Sequence, residues 1–202
     1  MMNQNIAKAG ALIVVFSVLL FGVCMLIPFD FGSYFVCMLL AIGYVMMAAG
    51  FSCESDAEHR VAAKAGMAFA VIYATLVLLV YFAQTTTVRL DTMTDQAVRL
   101  LDYSRGGLMF SYGLLGYGMM ALSTFFLGLT IRGRSPVDQW LKRLMIIHGI
   151  FFFGCFIMPM TGAFRSMAGG ETSMGGVIAL ECWCAYFLPV GILAFAHFRS
   201  ER

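Results

Sequence analysis

Glu181 is the residue whose type and position most demand a chemical account, because it is the only acid set well inside the apolar stretch 174–198. It lies seven residues in from Met174, which at about 1.5 Å per residue is roughly 10 Å below a membrane surface. An ionised carboxylate at that depth costs about 2.5 kcal/mol or more, so it must face protein or trapped water, or carry a proton. Tyr81, Gln84 and Tyr112 of other stretches and Trp183 of the same one fall at this depth, with Asp30, Arg105 and Arg165 above them.

Brought together, these side chains would form an outward-facing pocket for a small amphipathic or lipid-like molecule, bound or moved. The same carboxyl could instead serve as general acid or base on a lipid or isoprenoid substrate. That enzymatic reading requires a second acid, base or cation within reach, for which Gln84, Tyr112 and Arg105 are the candidates. A third reading leaves Glu181 as a hydrogen-bonding strut and gives the lateral surface to another membrane protein.

His148 is a secondary candidate. A lone intramembrane histidine is read first as a packed, hydrogen-bonded side chain, and counting from residue 144 places it in the inner half, roughly 15 Å from Glu181 along the membrane normal. Other intramembrane chemistries lack their residues. A bis-histidine haem needs a second buried histidine, whereas His197 lies at a span end. No lysine sits mid-span for a retinal Schiff base, no HExxH occurs, and no serine is nominated as a nucleophile by Ser17, Ser111 or Ser123. No metal site and no cofactor are therefore expected. The six cysteines form no CxxC pair and read as packing residues. A net charge of +2, dispersed among loops, gives no footing for nucleic acid.

The elements that must position these residues follow from composition. Hydrophobic residues make up 61% of the chain and charged ones 12%, against roughly a quarter charged in soluble domains. Six runs reach the length a helix needs to cross a bilayer: about 9–28, 34–51, 65–83, 108–131, 144–160 and 174–198. The expectation is an all-α, polytopic integral membrane protein, one domain over 1–202, built as a single bundle of six transmembrane helices. Its small size and short loops suit a bacterial cytoplasmic membrane, and lipid is its first partner.

Basic residues set the orientation. Nine (Lys8, Arg60, Lys64, Arg132, Arg134, Lys142, Arg143, Arg199, Arg202) fall on the side of the termini and four (Arg89, Arg99, Arg105, Arg165) on the other. The positive-inside rule then places both termini in the cytoplasm and Glu181 in the outer half.

Local signals refine the elements. Ala7 and Ala11 give span one a small-xxx-small start that permits close helix approach. Ser55 with Glu58 fits a capping box ahead of span three, and Ser135, Pro136 and Asp138 form a cap, an N1 proline and an early acid ahead of span five. Thr94 can cap a short amphipathic outer helix between spans three and four. Pro159 and Pro189 are expected to kink spans five and six. An echo, IGYVMMA at 42–48 and LGYGMMA at 115–121, hints at duplicated hairpins.

Overall fold

In a computed structural model, which describes residues 2–162 and 174–200, every regular element is helical. The elements are α1 (Met2–Leu26), α2 (Asp30–Glu54), α3 (Arg60–Ala83), α4 (Asp95–Leu101), α5 (Leu108–Thr130), α6 (Pro136–His148), α7 (Phe151–Met160) and α8 (Met174–Ser200). Taken with their continuations, six helices are long and apolar enough to cross a membrane: Met2–Leu26, Asp30–Glu54, Arg60–Val88, Leu108–Thr130, Pro136–Met160 and Gly176–Ser200.

The helices pack in a ring: α1 on α2, α2 on α3, α3 on α5, α5 on α6 and α7, α6 on α8, and α8 back on α1. Small residues allow the tightest of these approaches. A Cβ at Gly10 would lie 2.6 Å from the Met47 nitrogen and 2.7 Å from the Gly43 oxygen, so α1 and α2 touch backbone to backbone. Ala7 and Ala11, the small pair at the start of span one, are both buried in this contact layer. The ring's interior is filled by Tyr44, Tyr73, Met47, Met120, Leu127 and Phe187, all fully buried. Large apolar side chains such as Phe16, Phe82 and Phe153 stand on the outside, the arrangement a lipid solvent favours.

Several sequence expectations need correction. The Ser55–Glu58 capping box does not form. Ser55 donates instead to the Ser52 carbonyl, the Asp56 carboxylate takes the His59 N–H, and α3 starts at Arg60. Span five begins at Pro136, behind a complete Ser135–Asp138 capping box, rather than near residue 144. Its break falls at Gly149 and Ile150, between α6 and α7, whereas Pro159 sits in the last turn before the helix stops. Proline in a final turn removes little, because the helix ends there anyway. Pro189 lies inside α8 without interrupting it.

Span three runs past residue 83 into a π-helical turn, Gln84–Val88, where Thr85 and Thr86 hydroxyls bond back to carbonyls of the preceding turn. The short outer helix forms as expected, Thr94 accepting from the Ala97 N–H. None of its residues is buried.

Candidate functional site

At the end opposite the termini, α2 begins, α3 finishes and the 89–107 connection passes over both. A cavity of about 230 Å³ opens here, lined by Asp30, Phe31, Tyr34, Gln84, Val88, Arg89, Asp102 and Ser104. Several lining residues are held by identifiable contacts. The Arg89 guanidinium lies 4.5 Å from the Phe31 ring centre, a cation–π arrangement. Asp102 accepts from the Ser104 N–H at 2.9 Å and its hydroxyl at 2.7 Å, with Arg105 3.7 Å away. Phe31 and Phe35, both exposed, stack with ring centres 6.2 Å apart and continue the cavity wall down the outer face of α2.

Gln84 holds the floor. Its amide nitrogen donates to the Leu101 carbonyl at 2.8 Å and its oxygen accepts from the Tyr103 N–H at 2.9 Å. One buried side chain therefore fixes both sides of the turn between α4 and α5, using donor and acceptor at once. Tyr103 then inserts among Tyr34, Tyr81 and Phe110, and burial pushes its phenol up to about 12, so it stays protonated. Below it a polar ladder descends into the bundle. The Tyr81 hydroxyl lies 3.5 Å from that of Tyr103 and 3.4 Å from that of Tyr117, which in turn donates to the Cys37 sulfur at 3.3 Å.

The sequence-predicted residues are thus distributed among several places. Asp30 and Gln84 line the cavity, with Tyr81 directly beneath. Arg105 lies beside Asp102 at the rim, while Tyr112 is exposed on α5. Arg165 lies outside the described residues. Trp183 donates from Nε1 to the His148 Nε2 at 3.1 Å, and the other ring nitrogen of His148 meets the Thr124 hydroxyl at 2.7 Å. An accepting Nε2 assigns the proton to Nδ1, which donates to Thr124, whose own hydroxyl passes to the Met120 and Ala121 carbonyls. Both ring nitrogens of His148 are therefore hydrogen-bonded.

Its depth was misjudged, however. Because α6 starts at Pro136, His148 packs on Trp183, Tyr186 and Phe187 of α8, only one to two turns from Glu181 in sequence level.

Glu181 is not among the residues lining the 230 Å³ cavity. Its carboxyl lies against Gly22 of α1, where a Cβ would come within 3.2 Å of Oε2, and its buried Oε1 has no hydrogen-bond partner. Gln84 is engaged with the Leu101 and Tyr103 backbone, Arg105 lies beside Asp102, and Tyr112 is exposed on α5.

At the end bearing the termini a second polar group escaped the sequence reading. His197 Nδ1 lies 2.6 Å from an Asp138 oxygen and its Nε2 3.0 Å from a Glu54 oxygen, tying α8 to α6 and α2. Donation from both nitrogens is the capacity of the imidazolium form. A cavity of about 70 Å³ adjoins it, lined by Phe51, Glu54, Thr130, Ile131, Arg132, Arg134 and His197. Arg132 also pairs with Asp56 at 2.6 Å, and hydrogen bonds from His59 and Arg132 hold that carboxyl well below the usual range. The only advance signal was that each partner fell near the same span end. Among the described residues no group of three or more His, Cys, Asp and Glu could hold a metal.

The chain matches no protein-family model, and no curated protein or solved structure matches it.

Proposed function

We propose that this is a multi-pass membrane protein, with both termini in the cytoplasm, that binds a small amphipathic molecule at its outer end. The observation that carries this reading is the composition of the 230 Å³ cavity, where the two carboxylates Asp30 and Asp102 and the guanidinium Arg89 share a wall with Phe31 and Tyr34. Drug-sized ligands occupy roughly 300–1,000 Å³, so the space suits a polar head group and not a whole lipid. The stacked Phe31 and Phe35 then offer the apolar portion an exposed aromatic track along α2. Charges of both signs favour a zwitterionic or cationic head, with Arg89 already partly satisfied by Phe31.

The test is retention of co-purifying molecules, read by native mass spectrometry after extraction in mild detergent. The wild-type protein is expected to carry an amphiphile that Asp30→Asn and Arg89→Ala each release, with helicity unchanged. Equal retention in all three would overturn the assignment.

A second reading has its own observation. Only 11% of the most apolar window of Pro136–Met160 is buried, against 33% or more for every other membrane-length helix. No residue of α7 is buried, which fits a subunit whose α7 surface docks on another membrane protein.

A further inference from the structure

We propose that the outer cavity takes the head of a phospholipid that carries a primary ammonium, with Asp30 receiving the ammonium, Arg89 the phosphate, and an acyl chain lying along an apolar stripe of α2. This rests on the amphiphile-binding reading and names the class of amphiphile.

The observation behind it is a pair of opposite charges that share a small space without meeting. Asp30 and Arg89 both line the cavity, yet among the described residues neither side chain enters an ion pair or a hydrogen bond. The Arg89 guanidinium lies 4.5 Å from the Phe31 ring centre, a contact that uses its charge and leaves its N–H donors unspent. A ligand with both charges a few bonds apart satisfies the two residues at once. The guanidinium fork suits a pair of phosphate oxygens, and the carboxylate accepts from an ammonium.

The kind of ammonium follows from what the walls still offer. A quaternary ammonium donates no hydrogen bond and is recognised by open aromatic faces. Here the rings are already engaged: Phe31 by Arg89 and Phe35, Tyr34 by Tyr81 at 5.3 Å and Tyr103 at 5.9 Å. Hydrogen-bond acceptors remain, namely the Asp30 carboxylate, the Asp102 oxygen that lies 3.7 Å from Arg105, and the Tyr34 hydroxyl. The Tyr34 phenol is close enough to feel both carboxylates, so the two acids face one space. A primary ammonium brings three N–H donors to these acceptors.

The outer face of α2 points to a lipid as the source of this chemistry. Phe31, Phe35, Leu39 and Ile42 are all exposed and recur at the spacing of one helix face. The stripe they form descends from the cavity for roughly 16 Å at about 1.5 Å per residue, long enough for an acyl chain to lie against. A soluble zwitterion such as free phosphoethanolamine brings the same charges and leaves the stripe unused.

The experiment is native mass spectrometry of the delipidated full chain, titrated with phosphatidylethanolamine, phosphatidylcholine and phosphatidylglycerol of identical acyl chains, and separately with free phosphoethanolamine. Phosphatidylethanolamine is expected to bind about tenfold more tightly than the other two lipids, the worth of a charge-assisted hydrogen bond. Asp30→Asn is expected to erase that preference, Arg89→Ala to weaken all three lipids, and free phosphoethanolamine to give no complex at the same concentrations. Equal binding of phosphatidylcholine by the wild-type protein would overturn the proposal, and that comparison needs no variant. A preference that survives Asp30→Asn would overturn it too, as would free phosphoethanolamine binding as well as the lipid. Lipid that binds without regard to head group, yet is released by Asp30→Asn and Arg89→Ala, sinks this inference and leaves the amphiphile-binding reading standing. Equal retention of every lipid by all three proteins removes both.

Discussion

Gln84 shows how a single side chain acquires its role from what is brought to it. The sequence marked it as a residue offering donor and acceptor together, suited to a helix end or a ligand. The structure spends both ends on backbone, the Leu101 carbonyl and the Tyr103 N–H. Replacing Gln84 with Leu leaves these two groups without partners, and an orphaned buried group costs about 1–3 kcal/mol. We therefore expect Gln84→Leu to lower the thermal midpoint in detergent and to abolish hydrogen-exchange protection at Tyr103, leaving protection in α1 and α2 unchanged. Retained protection at Tyr103 would show that the clamp is unimportant. Other residue roles were not legible because they depend on partners far along the chain. His197 is separated from Glu54 by 143 positions and from Asp138 by 59, and nothing in local spacing announces such a meeting. Gly22 looked like any glycine in a span until the register of α1 against α8 set it opposite Glu181.

Elements were more legible than sites, since a helix in an apolar solvent is dictated by its own backbone: every polar group must be satisfied within the segment. The ranges of spans four and six agree closely with α5 and α8, and the Ser135 and Thr94 caps form as their residue types require. Boundaries failed where a competing bond intervened, as when Asp56 captured His59 and displaced the Ser55 cap. Depth failed where a polar turn of helix preceded the apolar run. Residues 136–143 belong to α6, and omitting them shifted His148 by two turns.

The echo between residues 42–48 and 115–121 has a structural counterpart: Gly43 receives α1 and Gly116 receives α3, while Tyr44 and Tyr117 pack on Tyr73. One element stands apart, since α7 packs along α5 yet buries none of its residues. If α7 is a docking face, a photo-crosslinking residue at Phe153, which is 59% exposed, is expected to capture protein in native membranes, and the same residue at Phe16 of α1 only lipid. Lipid adducts alone at both positions would remove the subunit reading.

At the scale of the whole molecule the charged contacts among the described residues gather at two ends, and their chemistry differs. The end bearing the termini collects Glu54, Asp56, Arg132, Asp138 and His197 into ion pairs that join α2, α6, α8 and both neighbouring connections. The opposite end keeps its charges around an open cavity. A closed, cross-braced end and an open one are what a bundle needs if ligand is to enter from one side, and the proposed orientation puts the braced end in the cytoplasm. Two exposed positions test this. Cys53 lies beside Glu54, and Ser104 stands at the cavity rim. In variants with a single cysteine, Cys53 retained alone is expected to react with an impermeant maleimide only after the cells are permeabilised, and Ser104→Cys without permeabilisation. The reverse pattern would invert the molecule and open the cavity toward the cytoplasm, so the same labelling decides which compartment supplies the amphiphile.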